Sequence, residues 1–455
     1  MSLLAVSSAA SRLYESAQTA LGIVPEHAES INKELRIERL FVHPIKSCRG
    51  TSVQEAHFDE GGLHYDRSWL IIDAKTHKFQ TARDLPKMVT ISPSMDVAAN
   101  LLRIEVPNAE EGQGSATIVE TPLEPARADV EQMELIKDIE LWGTQVDGYA
   151  VSAEADAALT TFFGKQVRLV RKGPARRNAG LDDPRGDESA MHFQDFYPLL
   201  VATSASLQHV RETLLASVHS SSLLEQPRPR DTNSGQVDAS SAATPESQSA
   251  SGEKVPPGGW DVSSQGSTDA QKEKVTAYKV PNGVRREYWT PEVLAQFEIE
   301  RFRPNILVGD ASAPGSIEKE AGEHGHWQES QGLVPWEEDS WTHIEVFSPT
   351  EAKKGLGFGS QVEGKGIGIE CCIRCARCLV PSVDPKTGVR DPHIPYLVLQ
   401  KFRQVQPEMA KIGKPCFGML SSPCQAQGTL KVGDTIRVTR TTDPAKRTIT
   451  MTKKK

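Results

Sequence analysis

Residues 371–392 read CCIRCARCLVPSVDPKTGVRDP, which places Cys371, Cys372, Cys375 and Cys378 in one short run. Taken alone, the C-x2-C-x2-C spacing of Cys372, Cys375 and Cys378 suits a ligand loop for zinc or an iron–sulfur cluster. A fourth ligand would come from Cys416 or Cys424, but no second C-x2-C pair completes a zinc ribbon. Arg374 and Arg377 interleave with the thiols. Neighbouring guanidinium groups depress a thiol pKa and attract anions, which suits a reactive or metal-binding thiolate beside a phosphate. The plainer alternative is a set of inert cysteines packed as small apolar groups, and two charged side chains inside the run argue against it. Seven cysteines in 455 residues are too few, and odd in number, for a disulfide scaffold.

Outward from this run the sequence reads as short strands. HIEVF (343–347), GIGIE (366–370), LKVGDTIRV (430–438, with Gly433-Asp434 as a turn) and RTITMT (447–452) predict the closing strands of a β-barrel from Trp341 onward. Near the other end, IERLFV (37–42), SWLIID (68–73), MVTIS (88–92), LLRIEVP (101–107) and DIELWGTQVDGYAV (138–151) continue the pattern. Strands so short and so closely spaced predict an antiparallel sheet or barrel, not a parallel βαβ sheet. The exception is EADAALTTFF (154–163), where Ala155, Leu159 and Phe162/Phe163 share a helical face that reads as core packing.

Composition marks off the rest. From about 216 to 276, Ser, Gln, Pro, Gly and acids dominate and Trp260 is the sole aromatic, so this insert is predicted disordered. A second polar insert spans about 311–331. The chain carries 52 Lys+Arg against 60 Asp+Glu, a net charge of −8, which argues against a nucleic-acid-binding class. No apolar run is long enough for a transmembrane helix. Within the first 22 residues Arg12 is the only base and Glu15 the only acid, a poor fit to a mitochondrial presequence. Leu4, Leu13, Ala17 and Leu21 permit a short amphipathic helix there, and the expectation is an unprocessed intracellular start, mitochondrial or cytoplasmic.

A family resemblance joins these pieces. Cys375-Ala-Arg377-Cys378 with Val383-Asp384-Pro385-Lys386-Thr387-Gly388 resembles the signature of MOSC-domain proteins, on the branch of the amidoxime reducing components. Pro44-Ile-Lys46-Ser47-Cys48-Arg49-Gly50, Asp66-Arg67-Ser68-Trp69 and Thr81-Ala82-Arg83 resemble stretches of the family's N-terminal domain. Asp195 to Pro198, Thr203 to Leu207, Arg301 to Ile306, Glu338 to Trp341, Gly418 and Lys431 to Asp434 follow in family order. The resemblance implies a mainly β chain with some α. It comprises an N-terminal extension (1–35), a MOSC N-terminal β-barrel domain (36–150), a MOSC β-barrel domain (151–440) carrying both inserts, and a C-terminal strand with a basic tail (441–455). Cys371 and Cys372 are additional to the family pattern.

What the resemblance implies chemically is a molybdenum–molybdopterin cofactor. Lys46, Arg67, Arg303 and Arg377 would meet its negative charge, and Ser47, Thr203 and Ser206 would donate short hydrogen bonds. Asn305 would bind the pterin or fix Arg303. Cys378 would be the thiolate ligand to molybdenum, and Asp195 would assist proton delivery or cap a helix. The implied activity is reduction of N-hydroxylated compounds (amidoximes, hydroxylamines, N-oxides). Electrons would come from a cytochrome b5 and its NADH-dependent reductase, docking on a basic patch such as Arg171 to Arg177. Two alternatives stand beside it. One is a sulfur carrier taking a persulfide on Cys378, as in the C-terminal part of molybdenum cofactor sulfurases, whose N-terminal part is a pyridoxal-phosphate desulfurase. The other is a zinc- or iron–sulfur-stabilised binding module.

Overall fold

The computed structural model describes residues 35–108, 115–177, 190–219, 275–310, 332–349 and 366–447. The N-terminal amphipathic helix, the bulk of the 216–276 insert, the 311–331 insert and all but the first residue of the 447–452 strand lie outside these residues. The N-terminal half contributes β1 (Leu35–Val42), β2 (Thr51–Val53), β3 (Glu55–Asp59), β4 (Gly62–Leu63), β5 (Trp69–Asp73), β6 (Ser92–Asp96), β7 (Leu101–Pro107), β8 (Ala116–Pro122), β9 (Leu135–Leu141), β10 (Thr144–Ala150) and β11 (Val167–Lys172). The C-terminal half contributes β12 (Leu199–Thr203), β13 (Ile306–Asp310), β14 (Trp341–Phe347), β15 (Ile367–Ala376), β16 (Cys416–Pro423), β17 (Gly428–Lys431) and β18 (Thr435–Thr441).

The fold is mainly β, with a closed seven-stranded barrel ordered β13-β12-β16-β15-β14-β18-β1 and β1 returning to β13. Among the described strands of the barrel, only β12 and β13 run parallel. Strand periodicity fills the interior with Ile37, Leu40, Val201, Ile306, Ile344, Ile369, Cys371, Met419 and Ile436. The chain's first described strand therefore closes a barrel otherwise built from residues 199–441. A four-stranded sheet, β5-β11-β10-β9, and the meander β6-β7-β8 pack beside it. Helix α1 (Ala153–Phe163) covers their shared core with Ala155 and Leu159, as its periodicity predicts. Ser152 Oγ accepts from the Ala155 amide, and Gly164 at φ +64° ends the helix.

Three expectations change. Residues 86–90 form a 3₁₀ helix, not a strand, because Pro86 presets φ and lacks the ladder N–H; β6 begins only at Ser92. The start expected for the insert, 216, falls inside helix α2 (Ser204–His219), whose Leu207, Val210, Leu214 and Val218 pack against Trp289 and Leu294. The cysteine run lies mostly on β15, hydrogen-bonded to β14 and β16, rather than in a ligand loop. Cys371 points into the barrel core, and burial pushes its thiol pKa up to about 12.

Candidate functional site

Three sharp turns face one another where the barrel meets the β5 sheet. Ser47 (φ +69°), Arg67 (φ +50°) and Arg303 (φ +58°) each hold left-handed backbone without being glycine. Such backbone persists only when neighbours over-determine it, and they do. Asp66, fully buried, accepts from the His43 amide at 2.8 Å and from Arg67 Nη1 at 2.6 and 2.7 Å. Arg67 also donates to Asn305 Oδ1 at 3.3 Å and to the Arg303 carbonyl at 3.2 Å. Asn305 in turn accepts from the Leu200 amide at 3.1 Å and donates to the Phe41 carbonyl at 3.2 Å. Asn305 thus pins β1, β12 and the 303–305 turn together.

This frame concentrates positive charge. Arg303 donates through Nη1 to the Cys48 carbonyl, while its buried Nη2 has no partner among the described residues. Burial, with Arg67 alongside, brings the Arg303 pKa down to about 10. Lys46 Nζ donates to the Phe193 carbonyl at 2.8 Å and to Asp195 Oδ1. Burial lowers the Lys46 pKa, against the pull of Asp195. Desolvation opposes the Asp195 carboxylate, but Lys46, the Trp142 indole and Arg67 together hold its pKa below the ordinary value. Its side chain is 55% exposed, so a charged oxygen is open to a ligand. No helix follows Asp195, which removes the helix-cap alternative.

An aromatic wall borders that carboxylate. Trp142 Nε1 donates to Asp195 Oδ1 at 3.0 Å, Phe196 stacks at 6.3 Å from the Trp142 ring, and Arg83 lies 4.5 Å over it. Sequence reading missed Trp142 and Phe196. The available signal was a Trp-Gly pair between two alternating strands, a two-residue hairpin tip that presents its aromatic outward; both turn residues have positive φ.

The cysteine strand ends at this cluster. Arg377 donates to Cys375 Sγ at 3.0 Å and to the Phe302 carbonyl at 2.7 Å, tying the end of β15 to the turn that carries Arg303. Burial raises the Cys375 pKa against Arg377, and the charges of Asp195 and Cys378 add to it. Cys378, the last thiol of the run, is half-buried. Asp384 caps the following turn, accepting from the Lys386 and Thr387 amides at 2.8 Å each, and Arg301 clasps the Val383 carbonyl at 2.9 Å. Arg374 does not act on the thiols as expected. It is buried in an ion pair with Asp339 at 3.1 Å, which Arg403 shares at 2.9 Å.

Thr203 and Ser206 are not gathered with these residues. Both are fully buried, and their hydroxyls bond Glu338 Oε2 at 3.0 and 2.8 Å. The basic stretch 171–177 is not an open docking patch either. Arg171 pairs with Glu124 at 2.6 Å, Lys172 with Asp147 at 3.3 Å and Arg176 with Glu60 at 3.0 Å, while buried Arg177 holds the carbonyls of Gln194 and Asp195. Among the described residues, no helix is long and apolar enough to cross a membrane.

Comparison with known proteins gives this arrangement a context. Residues 34–166 match the family described as the MOSC N-terminal beta barrel domain. The mitochondrial amidoxime reducing component 2 of Homo sapiens is 23% identical over 439 residues, covering 92% of this chain and 90% of that protein. Its counterpart from Rattus norvegicus is 22% identical over 438 residues, with the same coverage. The molybdenum cofactor sulfurase of Danio rerio is 30% identical over 139 residues, 30% of this chain. The chain spans only 15% of that sulfurase's length and 20% of the Homo sapiens one.

Proposed function

We propose that the chain is a MOSC-family, molybdenum-cofactor-dependent reductase of N-hydroxylated compounds, because residues 34–166 match the MOSC N-terminal beta barrel domain and 92% of the chain is similar to amidoxime reducing components. The observation that carries this reading is the buried cationic cluster of Lys46, Arg67 and Arg303, whose Arg303 Nη2 has no partner among the described residues, with Arg377 tying the end of β15 that leads to the half-buried Cys378 to the Arg303 turn. A buried guanidinium N–H without a partner costs free energy unless a ligand takes it, and an anionic pterin phosphate is a fitting acceptor. Lys46, Ser47, Arg67, Arg303 and Arg377 would hold the pterin, with Cys378 the thiolate toward the metal. When bound, the cofactor supplies two electrons and a place for the substrate's oxygen.

The chain's own residues would orient the substrate. The Asp195 carboxylate, kept anionic by Lys46 and Trp142, accepts hydrogen bonds from the N–H and O–H groups of an amidoxime, so it acts as an orienting acceptor. Lys46 Nζ, with its pKa lowered, holds the proton nearest to that position. Trp142 and Phe196 offer a flat apolar face to a planar substrate. Electrons would arrive from a separate cytochrome b5 and its NADH-dependent reductase, as the family resemblance implies.

The test is to purify the full chain from a host that makes molybdopterin, then to assay molybdenum, pterin, and benzamidoxime reduction with a chemical electron donor. Near-stoichiometric molybdenum with pterin, and activity lost in Cys378→Ser, are the expected results. Zinc or iron without pterin, or full activity in Cys378→Ser, would sink the proposal. The similarity to sulfurases keeps a second reading, a persulfide on Cys378. It predicts labelled persulfide on that residue in pterin-free protein and no reductase activity.

A further inference from the structure

On the outer face of the barrel, well away from Cys378, three donors of different chemistry meet. His343 on β14 and Glu370 on β15 are cross-strand partners, and Cys424 directly follows β16, with its amide bonded to the Gly368 carbonyl at 2.8 Å. Strand alternation sends Ile344, Ile369 and Cys371 into the core, so His343 and Glu370 project outward. One ligand atom from each of His343, Glu370 and Cys424 lies within 4.8 Å of the others. By strand rise, Glu370 lies about 20 Å from the far end of β15 that leads to Cys378.

The surroundings prepare these donors. Thr439 Oγ1 lies against His343 Nδ1 in hydrogen-bond contact, and a hydroxyl oxygen can accept the ring proton there. The contact supports the tautomer that a ligating histidine adopts, with Nδ1–H held by a neighbouring oxygen and Nε2 turned to the metal. Arg440 binds Glu370 Oε1, which leaves Oε2 as the ligand oxygen. Gly368 lies beneath the space between the donors. A Cβ there would stand 2.9 Å from His343 Nε2 and 3.3 Å from Cys424 Sγ, so the missing side chain leaves a cradle where the nitrogen and sulfur converge.

We propose that His343, Glu370 and Cys424 form a second metal site that takes a borderline divalent cation of the zinc class, unrelated to the pterin cluster. A nitrogen, a thiolate sulfur and a carboxylate oxygen suit zinc, whose tetrahedral ligands stand roughly 3.3–3.8 Å apart, and three protein ligands leave the fourth position to water. Closing from within 4.8 Å to that spacing requires about 1 Å of side-chain movement, which the half-exposed setting allows. The bound ion would tie β14, β15 and β16 together on the barrel surface. Binding exchanges the thiol proton of Cys424 for the metal, and that proton goes to buffer.

The test titrates metal-free full-length protein with Co2+, following thiolate-to-cobalt charge transfer and the visible bands of tetrahedral cobalt. Wild type and Cys378→Ser should each bind one equivalent with a thiolate band, and Zn2+ should displace it. Cys424→Ser should lose the thiolate band, and His343→Ala should weaken binding by about 100-fold or more. Thr439→Val, which leaves every donor in place, should weaken it by about 10–100-fold. Gly368→Ala, filling the cradle, should abolish binding while a circular-dichroism melt reports its fold. A thiolate band that survives in Cys424→Ser but vanishes in Cys378→Ser would overturn the proposal, as would absence of any cobalt band in wild type.

Discussion

At the scale of single residues, Asp195 is the most informative position. Its carboxylate is held anionic by Lys46, Trp142 and Arg67, yet its side chain stays 55% exposed. In the proposed reading a group so placed would orient a ligand, and a carboxylate held anionic is poorly suited to give up a proton. Asp195→Asn keeps the shape and an acceptor oxygen while removing the charge. It should therefore lower kcat/KM for benzamidoxime by about 100-fold, the scale of a lost positioning contact, with molybdenum and pterin content unchanged. Steady-state kinetics beside metal analysis would check this; loss of cofactor with activity per molybdenum intact would refute it. Glu338 presents the opposite case. Burial, then Asp339, raises its pKa from 4.5 to about 7. The folded state therefore holds a proton that the unfolded state has released between those values, and stability falls as pH rises from about 4.5 to about 7. Glu338→Gln carries no charge to bury, so its Tm should exceed wild type at pH 8 and converge on it near pH 5. Equal pH dependence of the two melting curves would contradict this.

At the scale of elements, legibility followed how local each determinant is. Helix α1 announced itself through Ala155, Leu159 and Phe162/Phe163 on one face, all within nine residues. Residues 138–151 read as strand by their alternation, while the turn at Trp142-Gly143 that splits them into β9 and β10 went unread. Lys46, Arg67 and Arg303 were singled out by the family resemblance alone, and the three turns bring them to one place. What stayed hidden depends on distant partners. Nothing near Thr203 and Ser206 reveals that Glu338, more than a hundred residues later, takes both hydroxyls. Nor does the sequence around Arg374 show that β15 turns this side chain away from the thiols and onto Asp339. The resulting Arg374–Asp339–Arg403 group, each side chain at most 6% exposed, fastens β15 to the 3₁₀ turn before β14. Asp339→Ala would strand two buried guanidinium groups and should cost about 3–5 kcal/mol in chemical denaturation. A loss under 1 kcal/mol would mean the arginines find other partners.

At the scale of the whole molecule, the barrel is closed by residues far apart in the chain, β1 against β13 and β18. The same economy of distance applies at residues 220–274. The described ends of that segment are already joined: the Tyr278 amide donates to Ser217 Oγ at 2.9 Å, and the His219 ring bonds the Trp289 carbonyl at 2.6 Å. Both contacts sit on the core that α2 shares with Trp289, Leu294 and Phe297. A short linker can therefore replace 220–274 without moving either anchor. Because closure entropy grows with the logarithm of loop length, replacing the segment with about six residues should stabilise the fold by about 2 kcal/mol. The shortened chain should melt at or above the wild-type Tm and keep the molybdenum and pterin content of the full chain. A lower Tm would show that the segment packs on the barrel. An intact Tm with lost pterin would instead assign it to the cofactor site, where Lys46, Arg67 and Arg303 alone would no longer account for binding.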